Sequence, residues 1–292
     1  MARPPKVLYT FHPTAAVRSY EATIDWFARF TGCTIMEFSN AAPPVARSGG
    51  CNWLVDNQIE LAEPNAPDTP TQKFLDRFGP GYLNLALMVD DLAVADEWFT
   101  AHGAKPTLPP ATRFTFTRPA ETCGLQFEWA DFDDLSWDPR HNGRYPPRGT
   151  PLIDVARTAA WGALVADPRG AVARLRELSP MPIAFERYDA PSGEPAAGLS
   201  VGDCVLALYK VPATPDDEAR LWGTRVAKPR FHLMTFRVRD LAAVRAAFAR
   251  EKVRILREDA ANGLFVTHPE DTQGLCMAWT DRDYAGDPRG PL

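Results

Sequence analysis

Long apolar runs are missing from this chain. Nothing approaches 18 consecutive apolar residues, so no membrane-spanning helix is expected. The N-terminus, MARPPKVLYTF, lacks the apolar core of a signal peptide. A basic excess is missing too: the net charge of -5 offers nucleic acid no electrostatic footprint. Paired cysteines are also absent. Cys33, Cys51, Cys123, Cys204 and Cys276 are odd in number and scattered, with no CxxC. That argues against a cysteine zinc site and for reduced thiols in a cytoplasm. There is no P-loop and no serine nucleophile elbow. The GxG at Gly79–Gly81 lacks the preceding strand and following helix of a nucleotide loop and reads as a turn. What is present is a globular balance, 45% hydrophobic and 24% charged over 292 residues, enough for one large or two medium domains. The 28 prolines sit mostly in connecting segments and mark many short elements.

The stretch NQIELAEPNAPDTPTQKFLDRFGPGYLNLALMVDDL, from Asn57 to Leu92, carries the most information. Two strand-like runs, NQIELAE and YLNLALMV, flank a short amphipathic piece, TPTQKFLDRF. Glu60 and Asn84 alternate with apolar neighbours in those runs. A strand that buries Ile59, Leu61, Leu83 and Leu85 has no packing reason for polar groups between them. They face either water or a polar cavity.

Periodicity predicts a strand at Lys6–Thr14, a helix at Ser19–Thr31 ended by Gly32, and strands at Thr34–Phe38, Cys51–Leu54 and Gln58–Leu61. The order restarts with a strand at Leu83–Val89, a helix at Asp91–His102 and strands near Phe114–Thr117 and Leu125–Trp129. The segment Trp137–Pro151 is rich in Pro, Gly and Arg and reads as a linker. Beyond it come strands at Trp161–Val165, Cys204–Tyr209, Phe231–Val238 and Leu275–Trp279, with helices at Pro168–Leu178 and Asp240–Arg250.

The two halves superimpose. VDDLAVADEWF at Val89 matches VRDLAAVRAAF at Val238, and TRPAETCGLQFEW at Thr117 matches THPEDTQGLCMAW at Thr267. Each half ends in Asp-Pro-Arg, at Asp138–Arg140 and Asp287–Arg289, which suggests that both tails cap their domains alike. The chain therefore reads as an α+β protein of four βαβββ modules, paired into two similar cup-like or barrel domains, 1–144 and 145–292.

This module resembles the vicinal oxygen chelate superfamily of glyoxalases, methylmalonyl-CoA epimerases, type I extradiol dioxygenases and bleomycin or fosfomycin resistance proteins. The runs IELAEP and KFLDRFGPGYLNLALMVDDL are similar to the corresponding stretch of methylmalonyl-CoA epimerases. The resemblance implies a cup that holds a divalent metal between first-strand and last-strand residues of two modules. The matching first-strand positions are His12, five residues before Val17, and Asn84, five before Val89. The last-strand positions are Glu60 and Glu128. Imidazole with carboxylates suits Zn, Mn, Co, Ni or Fe. The family more often has His at the place of Asn84. The implied metal set is therefore His12, Glu60 and Glu128, with Asn84 left for substrate or a metal-bound water.

By the same offsets the second domain replaces His12, Glu60, Asn84 and Glu128 with Ala160, Leu208, Leu233 and Ala278. His232 lies one residue off and is expected on the opposite strand face. The second domain thus reads as structural, or as an apolar pocket, and any chemistry belongs to the first. Extradiol dioxygenases keep their iron in the second domain. Arg113, Tyr82, Trp53 and Arg118 lie on strands or near the expected cavity mouth. Tyr82 and Arg113 join Asn84 as candidate substrate contacts. His102, His141 and His268 read as structural or solvated.

The reading that follows is a metal-dependent enzyme of isomerase, epimerase or lyase type, acting next to a carbonyl of a small molecule. Glu60 or Glu128 would be its general base. The alternatives are an Fe(II) ring-cleaving dioxygenase and a metal-free small-molecule binding or resistance protein. Both cups can close within one chain, so a monomer or a homodimer is compatible.

Overall fold

A computed structural model describes residues 3–42, 46–136, 138–142, 145–260 and 262–292. The first half runs β1 (Val7–Ala16), α1 (Tyr20–Thr31), β2 (Thr34–Ile35), β3 (Ser39–Asn40), β4 (Arg47–Leu54), β5 (Asn57–Pro64) and α2 (Pro70–Phe78). It continues with β6 (Gly81–Val89), α3 (Leu92–Ala101), β7 (Phe114–Thr117) and β8 (Phe127–Ala130). A one-turn helix, α4 (Pro139–Asn142), leads into the second half. There follow β9 (Val155–Val165), α5 (Pro168–Leu178), β10 (Ile183–Glu186), β11 (Pro195–Ser200), β12 (Val205–Lys210) and α6 (Pro215–Trp222). The chain ends with β13 (Arg230–Val238), α7 (Leu241–Glu251), β14 (Ile255–Asp259), β15 (Leu264–Thr267) and β16 (Met277–Thr280).

Each half builds one eight-stranded sheet. The orders are β2-β4-β5-β1-β6-β8-β7, with β3 on β4, and β10-β11-β12-β9-β13-β16-β15-β14. Neither sheet closes on itself among the described residues, so the cups are open rather than closed barrels. At the centre of the first sheet, β1 and β6 run antiparallel, with β5 parallel to β1 and β8 parallel to β6. The second sheet repeats this around β9 and β13.

Local chemistry explains the sequence repeat. The aspartates shared by VDDL and VRDL are helix N-caps: Asp91 accepts from the Val94 N–H and Asp240 from the Ala243 N–H. Ser19 caps α1, and Gly32 ends it in the left-handed conformation. In the other repeated run, Thr122 and Thr272 are fully buried and donate to the Leu125 and Leu275 carbonyls. The indole N–H of Trp129 donates to Thr117 and that of Trp279 to Thr267, at 3.3 and 3.4 Å. The conserved spacing within this one chain is thus one tight turn built twice.

The helix-facing sides of both sheets share a single core, in which Phe27, Phe99, Phe127, Trp161, Phe248 and Trp279 are almost fully buried. The opposite faces carry separate, smaller clusters.

Two reciprocal contacts join the halves. Asp56, at the β4–β5 turn, accepts from the Thr158 N–H of β9, and Asp203, at the β11–β12 turn, accepts from the Thr10 N–H of β1. The Asp-Pro-Arg tails reinforce both. Arg140 donates to the Thr10 and Phe11 carbonyls, while Arg289 donates to the Thr158 carbonyl and pairs with Asp56 at 2.6 Å. The tails therefore act alike, but Arg289 also bridges to the other domain. This corrects the reading of 137–151 as a plain linker. Trp137, Gly143 and Arg144 of that segment lie outside the described residues, yet Asp138 is fully buried and accepts from Gln58. In the second contact Pro229 packs on Gly124 and Pro80 on Gly274. Both glycines have positive φ, 88° and 83°.

Candidate active site in the first cup

Strand register brings the polar residues together. Thr14 of β1 pairs with Glu60 of β5 on one side and with Asn84 of β6 on the other. His12 pairs with Ala86, and Ala86 with Glu128 of β8. Cys51 of β4 lies opposite Glu60. Neighbours in register share a sheet face, and so do residues two apart on a strand. His12, Thr14, Cys51, Glu60, Asn84 and Glu128 therefore all stand on the face away from the helices. His12, Asn84 and Glu128 are 4%, 3% and 8% exposed. The polar positions of the sequence face a buried cup, not water.

The hydrogen bonding divides the two carboxyl groups. Glu60 forms an ion pair with Arg47 and accepts from the Thr14 hydroxyl at 2.7 Å. Arg47 stands at the start of β4, and Gly49 is the intervening residue on its face. No side chain separates the guanidinium from Glu60. Burial and the nearby charge of Glu60 push Glu128 up to about 8, with Arg47 opposing them. Glu128 thus keeps its proton at neutral pH. Burial lowers His12, against the pull of Glu60, so its imidazole is neutral. Burial and the charges of Glu60, Glu37 and Glu128 raise the Cys51 thiol well above its ordinary value, which makes it a poor nucleophile.

Sequence reasoning missed Arg47 and Thr14. Neither occupies an expected ligand position, but Thr14 lies two residues beyond His12 on the same face. Arg47 lies four before Cys51, and that alternation was a usable signal. Two other candidates fall elsewhere. Tyr82 is buried in the shared core and its hydroxyl donates to the Cys276 carbonyl of the second domain. Its bulged register relative to Thr14 and Ala15 turns it from the cup. Arg113 ends a short 3-10 turn and is held by Asp131 and Asp133. Trp53 is buried under Arg140, and Arg118 is exposed. His102 stacks on Trp98, His141 is exposed, and His268 caps a turn.

Among the described residues, no three His, Cys, Asp or Glu side chains converge to hold a metal ion. In addition, Arg47 already neutralises Glu60, the central carboxylate of the expected set. As arranged, these residues do not fit a divalent ion. His12 Nδ1 and Asn84 Oδ1 are buried and make no hydrogen bond of normal geometry among the described residues.

Residues 11–116 match the model of the Glyoxalase/Bleomycin resistance protein/Dioxygenase superfamily. Over those residues, in the first half of the chain, this protein is similar to that superfamily. No curated protein matches the chain in sequence. In structure the chain is similar to a triple mutant of 4-hydroxymandelate synthase from Streptomyces coelicolor. The TM-score is 0.66 at 17% identity, over 99% of this chain and 97% of that one. A xylose isomerase-like TIM barrel/4-hydroxyphenylpyruvate dioxygenase fusion protein gives 0.59 at 14% identity, over 95% of this chain and 49% of that one. Methylmalonyl-CoA epimerase from Mycobacterium tuberculosis gives 0.41 at 21% identity, over 46% of this chain and 94% of that one. At such identities the likeness is one of fold. The likeness in fold to the synthase runs over nearly the whole length of both chains.

The second cup differs from the first as the sequence led one to expect, with two corrections. Register pairs Gly162 with Ala207 where the first domain pairs Thr14 with Glu60. The counterpart of Glu60 is therefore Ala207, not Leu208, which faces the shared core. His232 is not turned to the far face. A bulge between Phe231 and Leu233 leaves it as the extra residue, and its ring packs on Tyr209 and Trp222. That cup is filled by Tyr209, Trp222 and Leu233.

Proposed function

We propose that the first domain, residues 1–144, is an enzyme that moves a proton next to a carbonyl of a small molecule, in an isomerisation, epimerisation or related lyase step. The observation that carries this reading is the carboxyl pair in one buried cup, with Glu60 held by Arg47 and Thr14 and Glu128 held by neither. Two carboxyl groups in unlike environments take unlike protonation states, which separates acid from base. Glu60 takes the proton from the carbon next to the carbonyl. Arg47 and the Glu128 carboxyl face the negative charge that develops on the carbonyl oxygen. Glu128 then returns a proton to the carbon or the oxygen, which decides between epimer and tautomer. Asn84 orients the substrate through its free Oδ1.

The test is hydrogen–deuterium exchange at acidic C–H positions of small carbonyl compounds, followed by NMR in heavy water. Glu128→Gln should slow exchange at least about 100-fold while the circular dichroism spectrum is unchanged. Exchange at the wild-type rate in that variant would remove Glu128 from the mechanism.

A second reading keeps a divalent metal on His12, Glu60 and Glu128. His12 Nδ1 and Asn84 Oδ1, buried without a hydrogen bond of normal geometry among the described residues, favour it, but it requires Arg47 to leave Glu60. An iron-dependent ring cleavage would need the same donors. Elemental analysis of untagged protein beside His12→Ala tests both: about one metal per chain, lost in the variant, would establish this reading.

A further inference from the structure

We infer that Arg47 holds the place of a metal cofactor in the first cup. Its guanidinium, rather than a divalent ion, is the resident cation, and the cup accepts an ion only once Arg47 is removed. The geometry supports this in three ways. First, Arg47 pairs with Glu60 from within the cup, on the carboxylate that stands in register with Thr14, which lies on the strand of His12 and pairs with Asn84 on its other side. A guanidinium and a metal ion on the same half-buried carboxylate would repel each other, with water only partly screening them.

Second, the arginine tracks the carboxylates within this chain. Where Glu60 becomes Ala207 in the second sheet, residues 193–195 at the matching end of β11 are Gly, Glu and Pro. The base is absent where there is nothing for it to neutralise. Third, Arg47 is only half used. Its Nη2 is on Glu60, while Nη1 is buried with no acceptor among the described residues. A buried charged donor without a partner is costly. The spare Nη1 therefore takes an anionic oxygen of the bound molecule, a carboxylate or an enolate, and a guanidinium fork suits such oxygens. Only this last point rests on the proposed function.

The test is a titration with Co(II), read by visible absorption and calorimetry, on wild type, Arg47→Lys, Arg47→Leu and Arg47→Ala. Wild type and Arg47→Lys should take up no stoichiometric cobalt. Arg47→Leu and Arg47→Ala should bind about one per chain, at least about 100-fold tighter than wild type, and lose it on adding Glu60→Gln. Circular dichroism checks that each variant is folded. Stoichiometric cobalt in wild type, abolished by His12→Ala, overturns the inference. So does a folded Arg47→Leu or Arg47→Ala that binds none. Neither result bears on the exchange rate of Glu128→Gln, so the two proposals fail separately.

Discussion

Replacing Glu128 by Gln should make the protein more stable at alkaline pH than at acid pH, relative to wild type. Burial and the charge of Glu60 raise this carboxyl from 4.5 to about 8 in the folded protein. In the unfolded chain it ionises near its ordinary value. Between those two values the folded protein holds a proton that the unfolded chain has lost. The folded state therefore loses ground as pH rises, by at most about 1.4 kcal/mol per pH unit. Across the window this comes to something on the order of 5 kcal/mol, and above about pH 8 the loss is complete. Glutamine has nearly the same shape and no proton to lose. Its advantage should be small near pH 5 and greatest near about pH 8. Asp56 is also raised, to about 6, and weakens wild type as pH rises through its own window. It is present in both proteins and cancels in the difference. Urea unfolding of both proteins from about pH 5 to about pH 9 gives that difference directly. Parallel profiles would refute the argument, because they would mean that Glu128 titrates alike in folded and unfolded chains.

Other perturbations test the architecture. Tyr82→Phe removes only the hydrogen bond to the Cys276 carbonyl; it should cost about 1 kcal/mol in thermal or urea unfolding and leave KM and kcat unchanged. A raised KM would return Tyr82 to the substrate site. Gly124→Ala and Gly274→Ala would set a Cβ 2.4 and 2.5 Å from Pro229 and Pro80, at positive φ. Each should destabilise by more than about 1 kcal/mol, and a neutral result would mean that the halves are not held together there. Asp56→Ala strips Arg289 of a partner and leaves the Thr158 N–H without its acceptor. A loss of about 1–3 kcal/mol is expected by denaturant unfolding.

Much of this protein was legible in its residues because the responsible forces are local. Helix caps at Ser19, Asp91 and Asp240 act within one turn, and the Thr-Trp bond of each repeated run spans a dozen residues. Alternation along a strand sets a side chain's face, so Glu60 and Asn84 stood out among apolar neighbours, and the family resemblance grouped them with Glu128 in one cup. The repeat then located their apolar counterparts, within one residue for Ala207. Only the tertiary structure decided the rest. Glu60 meets Arg47 across a hairpin and Thr14 across a parallel strand pair; alternation could have given the face of each, but only the strand pairing decided that they touch. A bulge, which is one extra residue in a ladder, swings His232 into the second cup and Tyr82 into the core. The Asp-Pro-Arg segment reads as linker by composition, yet Arg140 and Arg289 find their acceptors on distant strands. Composition and period record what a residue does with its neighbours in sequence; which distant charge it meets is settled only when the sheets come together.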